Sequence, residues 1–159
     1  MKLKLQEYAM IAEILGGVAV IVTLLFLVFE TRENTNAIQA QTYQSLTSEL
    51  NEIRRTSISA DMADIREKLQ SSGLDSLSGT ERFRYISNRQ ALWGVYESSF
   101  YARERDILGD LEWERFGDAI CRNYSSDSEF WTRSERGGSI SGTITETFLE
   151  YIESSCQLD

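Results

Sequence analysis

Histidine and proline are both absent from this 159-residue chain, and each absence removes a class of behaviour. Without histidine there is no imidazole general base, no Ser-His or Cys-His nucleophile pair, and no His-ligated zinc or haem. Without proline, no helix is broken by a missing N–H and no Pro-rich linker separates one part of the chain from another. Cysteine is scarce: Cys121 and Cys156 can pair, or can be two small buried apolar residues. Positive charge is also in deficit, with 16 Lys and Arg against 25 Asp and Glu and a formal net charge of −9. Such a chain is a poor ligand for a phosphate backbone, which is held by Lys and Arg, and nucleic acid is excluded as a partner. It should also be repelled from anionic headgroups, except near Arg54 and Arg55.

What is present is a long apolar run. Met10 to Phe29 reads MIAEILGGVAVIVTLLFLVF, with Glu13 as its one charge. At 1.5 Å rise per residue, about twenty such residues cross a hydrocarbon core roughly 30 Å thick. The run is too long for a signal-peptide core and is followed by Glu30-Thr31-Arg32-Glu33 rather than a small-residue cleavage site, so it reads as a retained anchor. Residues 1–30 are therefore expected to form a transmembrane anchor with a short amphipathic lead, and 31–159 an acidic helical extramembrane domain. Lys2, Lys4, Glu7 and Glu13 balance one another, which leaves the whole charge excess after Phe29. On the anchor, Ala9, Ala12, Gly16, Ala19 and Thr23 recur three or four apart and make a face of small residues that lets a second helix approach closely in lipid. Ile14, Val18, Ile21, Leu25 and Val28 lie opposite and suit lipid tails.

The remainder is patterned for helices, and the fold class is all-α. The stripe Ala37, Ala40, Tyr43, Leu46 or Thr47, Leu50, Ile53 predicts that the anchor helix continues to about Arg55. Ser59 or Asp61 opens a helix to Gln70 with Met62, Ile65 and Leu69 on one face, and Ser71–Gly79 is a loop by composition. Ser78 stands three residues before Glu81, the spacing of a capping box. The helix it starts is predicted to run to Leu108, burying Phe83, Ile86, Trp93, Tyr96 or Glu97, Phe100 and Ile107, with Gly109 as its end. Asp110 caps the next, through Leu111, Trp113, Phe116, Ile120 and Tyr124. Ser125–Ser128 caps a short piece with Phe130 and Trp131, Gly137 and Gly138 break it, and a last helix follows Ser141 or Thr143 with Ile144, Phe148, Tyr151 or Ile152, and Cys156. The expected architecture is an N-terminal transmembrane helix continuing into a long helix, followed by a bundle of four to five helices.

Glu13-Ile14-Leu15-Gly16, Arg32-Glu33-Asn34-Thr35-Asn36-Ala37 and Tyr43-Gln44 together resemble the N-terminal signature of a widespread bacterial family of small single-span membrane proteins of unknown function. The aromatic- and Glu-rich helix of Leu92 to Trp113, with its Gly-(Asp)-Leu-x-x-(Glu)-Trp-like end, here Gly109-Asp110-Leu111-Glu112-Trp113, is similar as well. The resemblance implies topology and a place in the bacterial inner membrane, and no chemistry.

Few residues suggest a site. Glu13 sits at membrane depth, where an ionisable group is a functional candidate, or else at headgroup level two turns from Gln6 and Glu7. Arg32 and Asn34, with Thr35 and Asn36, emerge where the helix meets the interface and can hold a partner subunit or a lipid headgroup; alternatively Arg32 snorkels from a hydrated turn. Arg103 and Arg105 alternate with Glu104 and Asp106 as a solvated helix face. Gly137–Gly142 lacks the Lys-Ser/Thr of a phosphate loop and is a flexible turn. Glu112, Glu114 and Asp118 do not form a loop of oxygen ligands. No catalytic residue, cofactor site or metal site is read. Cys121 and Cys156 form a disulfide if the domain is exported and are core thiols if it is cytoplasmic. Lys2 and Lys4 before the span against Arg32 after it favour an exported, periplasmic domain, whereas the usual exit of the resembled family, richer in basic residues, argues the reverse. The function expected is a non-enzymatic accessory or scaffolding subunit, associating with lipid and with other membrane subunits such as those of a respiratory or photosynthetic complex. Self-association into a homo-oligomer and a membrane-anchored sensor are the alternatives, and a sensor would need a deep pocket among the domain's aromatics.

Overall fold

The computed structural model describes residues 2–127 and 144–156, with side chains from residue 8 onward. Its described elements are five α-helices and one 3-10 turn: α1 (Lys2–Ser57), α2 (Ala60–Ser72), the turn Leu74–Ser76, α3 (Gly79–Glu104), α4 (Asp110–Ser126) and α5 (Glu146–Ser155). No strand occurs among the described residues. The chain divides into two compact units, Met1–Ala40 and Gln41–Asp159. The exit segment Thr31–Ala40 thus groups with the apolar run.

The described residues of the first unit are helix alone. α1 contains the one stretch among the described residues that is long and apolar enough, by length and composition, to cross a membrane. From Met10 to Phe29 the large apolar side chains are all exposed, for example Leu15 at 63% and Phe26 at 66%.

The second unit packs the end of α1 with α3, α4 and α5. Its core joins Leu46 and Leu50 of α1, Trp93, Tyr96 and Phe100 of α3, Phe116 and Ile120 of α4, and Phe148 and Ile152 of α5. A smaller cluster gathers Met62 and Ile65 of α2 with Leu74, Leu77 and Tyr85. The apolar stripe of α1 is covered only from Tyr43 onward, since Ala37 and Ala40 are exposed.

Local chemistry sets the boundaries. Ser59, rather than Asp61, caps α2, its hydroxyl accepting from the Met62 N–H. Ser78 and Glu81 form the reciprocal capping box of α3, which satisfies two otherwise orphaned N–H groups. Gly73 ends α2 at φ 73°, where a side chain would be strained. Beyond it, Leu74 and Leu77 are buried, so the Ser-rich stretch read as a loop supplies two core residues.

Four expectations are corrected. α3 stops at Glu104, not Leu108: Asp106 adopts φ 55°, and the N–H groups of Ile107 and Leu108 both turn back to the Ala102 carbonyl. This reversal drops Leu108 into the core at 1% exposure, and Gly109, not Asp110, becomes the N-cap of α4. Phe83 is 72% exposed while Tyr85 is buried, because the upper half of α3 presents a different face from the one its aromatics suggest. Leu111 likewise points outward at 80% exposure. The short helix expected at Phe130 and Trp131, the turn Gly137–Gly142, and the caps Ser141 and Thr143 lie outside the described residues.

Candidate functional site

The candidate surface in the first unit is the apolar run itself. Ala9, Ala12, Gly16, Ala19 and Thr23 are all exposed, and their spacing keeps them on one side of α1. A Cβ added at Gly16 or Gly17 would meet nothing within 4 Å. The small face is therefore open to an approaching helix and is not filled by this chain's own side chains. Thr23 donates to the Ala19 carbonyl at 2.8 Å, Thr31 to Leu27 at 2.7 Å and Thr35 to Thr31 at 2.9 Å. Each hydroxyl is satisfied within the helix, so none costs an unmet hydrogen bond in an apolar setting. Glu13, Arg32 and Asn34 are exposed, and none has a hydrogen-bond or ion-pair partner among the described residues. Arg32 shares an open groove of about 390 Å³ with Leu27, Val28, Thr31, Thr35 and Asn36.

In the second unit Cys121 on α4 and Cys156 at the end of α5 are disulfide-bonded, with Cα atoms 5.0 Å apart. Both sulfurs come together because Ile120 and Ile152 are fully buried on the facing sides of the two helices and set their approach. The start of α5 is tied to α3 independently. Glu97 Oε1 accepts from the Thr145 N–H at 2.6 Å, and Thr145 Oγ1 is 2.7 Å from the Tyr101 hydroxyl. Aromatic rings fill the space between: Phe100 lies 5.4 Å from Phe148 and 5.0 Å from Tyr151, and Trp113 5.7 Å from Tyr151.

A buried ion pair closes the far end of α4. Arg89 Nη1 donates to Asp127 Oδ2 at 3.1 Å, with side chains only 11% and 7% exposed. Burial pushes the Asp127 carboxyl above its ordinary range, opposed by the Arg89 charge and by hydrogen bonds from Trp93 and Arg89. The sequence held no sign of this pair, whose members lie on different helices. Arg103, read as part of a solvated face with local ion pairs, bridges to Asp110 at 2.6 Å across the α3–α4 turn.

No group of three or more His, Cys, Asp or Glu poised for a metal occurs among the described residues. Glu114 and Asp118 are exposed on α4, and Glu112 is half-buried. The aromatics Trp93, Phe100, Phe148 and Tyr151 pack against one another in the core.

No family model, curated protein or solved structure matches this chain.

Proposed function

We propose that this chain is a non-enzymatic, single-pass membrane protein that serves as an accessory or scaffolding subunit, with the small-residue face of α1 seated against a helix of a larger membrane complex. One observation carries the reading. Every large side chain from Met10 to Phe29 is at least half exposed, while a full side chain at Gly16 would touch nothing in this protein. Apolar surface on that scale needs lipid or protein to cover it. A narrow strip of Ala, Gly and Thr within it fits close helix approach better than it fits lipid tails. Arg32 and Asn34, without intrachain partners among the described residues, supply polar contacts to a subunit or headgroup at the exit. A sensor is less well supported, since the aromatics that would line its pocket are consumed in the core.

The disulfide and the placement of Lys2 and Lys4 ahead of the span support an exported domain, on the periplasmic side of a bacterial inner membrane. Protease added to intact spheroplasts should then digest the domain and leave the anchor.

Gly16→Leu is the decisive test, because the fold has room for the leucine. Purification from native membranes should recover the unmodified chain with one complex in fixed proportion, and the variant without it. Recovery as a large self-assembly would identify a second copy as the partner. Undiminished association of the variant would falsify the role of this face.

A further inference from the structure

The second unit holds a cleft that its acidic composition hides. Arg55, Arg82, Arg84, Arg89 and Arg103 each have a carboxylate partner. Arg54, Arg115 and Arg122 have none among the described residues, and all three line one cavity of about 60 Å³. It lies between the last turns of α1 and the side of α4, where Arg115, Ala119 and Arg122 repeat at four and three residues and face Tyr43, Leu50 and Arg54. Leu50 and Phe116, both buried, form its floor, and no Asp or Glu lines it.

The arrangement is built for one small anion. An apolar floor lowers the local dielectric, so each guanidinium acts more strongly there than on an open surface. Arg115 is already oriented: its Nη1 donates to the Tyr43 hydroxyl at 3.1 Å, and the Tyr43 ring rests edge-on against Phe116 at 6.3 Å. A donor held in place beforehand loses less freedom on binding. Arg54 and Arg122, together with Arg89, also counteract the upward push of burial on the Tyr96 phenol. In a chain of net charge −9, a cleft lined by three arginines and no carboxylate is a local centre of positive potential that draws anions. The cavity admits a single tetrahedral or planar group and is too small for a helix or a peptide.

We infer that this cleft binds one phosphate-class oxyanion, carried by a small soluble phosphate or by a lipid headgroup. Planar guanidinium forks match such oxygens in pairs.

Titration calorimetry of the full chain in neutral detergent, with inorganic phosphate against chloride at matched ionic strength, should show one saturable site. The double variant R54Q/R122Q should weaken it at least tenfold, as lost charge-assisted hydrogen bonds require. Arg105→Gln, another exposed arginine without an ion-pair partner among the described residues, should leave it unchanged. On the unmodified chain, phosphate should protect Arg115 and Arg122 from phenylglyoxal, a readout independent of any variant. Nanodiscs separate the two sources. If a headgroup is the occupant, phosphatidylglycerol competes with the phosphate site and phosphatidylcholine alone does not; if the occupant is soluble, the phosphate affinity is the same in both. No saturable binding and no protection, equal affinity in R54Q/R122Q, or a response confined to a polyglutamate peptide would each overturn the inference.

Discussion

Arg89 on α3 and Asp127 at the end of α4 meet across 38 residues of chain in a 3.1 Å bridge shielded from water. Removing one partner strands the other charge in a low-dielectric setting. Arg89→Met should therefore destabilise the domain by about 3 to 5 kcal/mol in denaturant unfolding, whereas breaking the exposed Arg84–Asp61 bridge should cost under about 1 kcal/mol. The sign with pH follows from Asp127. Its folded carboxyl takes up a proton more readily than the unfolded one, so its contribution is most favourable at low pH and is lost as pH rises through the folded pKa. The penalty of Arg89→Met should accordingly be larger at pH 7 than at pH 4.

Glu81 behaves in the opposite sense. The hydrogen bond from Lys68, followed by those from the Ser78 backbone and hydroxyl, lowers its carboxyl from 4.5 to about 2. Its stabilising contribution is present above 4.5 and is lost as pH falls from there towards 2. Glu81→Gln should flatten that part of the stability profile, which acid titration followed by circular dichroism will read.

The Cys121–Cys156 bond spans a separation of 35 residues. In the chain-entropy view, closing a loop of that size stabilises the fold by about 4 kcal/mol. Reduction with dithiothreitol, or the double variant C121A/C156A, should lower the unfolding free energy of the domain by about that amount.

Phe83 and Phe148 separate composition from packing. Phe148 is fully buried against Phe100, and Phe148→Ala should cost about 3 to 5 kcal/mol. Phe83→Ser, at an exposed position, should stay within about 0.5 kcal/mol. Thermal melts of the two variants side by side will check both.

Much of this protein is legible from sequence because the deciding signals are local. The apolar run of α1 announces itself by length. The Ser78–Glu81 capping box is a matter of spacing, and the helix cores around Trp93, Phe116 and Phe148 follow a period that one helix can display by itself. Other features depend on what a neighbouring element offers. Asp106 turns left-handed because Leu108 gains a place in the core, a gain that no window of α3 reveals. Phe83 lies outside and Tyr85 inside because it is Tyr85 that packs in one buried cluster with Met62, Ile65 and Leu77. The cysteines left two readings open until α4 and α5 were seen to pack. Arg54, Arg115 and Arg122 are scattered among ordinary surface charges until α1 and α4 bring them to one cleft. Sequence by itself determined where the helices run and which of them is apolar enough for a membrane, since those depend on the order of residues along one axis. Only the tertiary structure decided which charges are buried, paired or gathered, because desolvation and Coulomb energy depend on distances between elements.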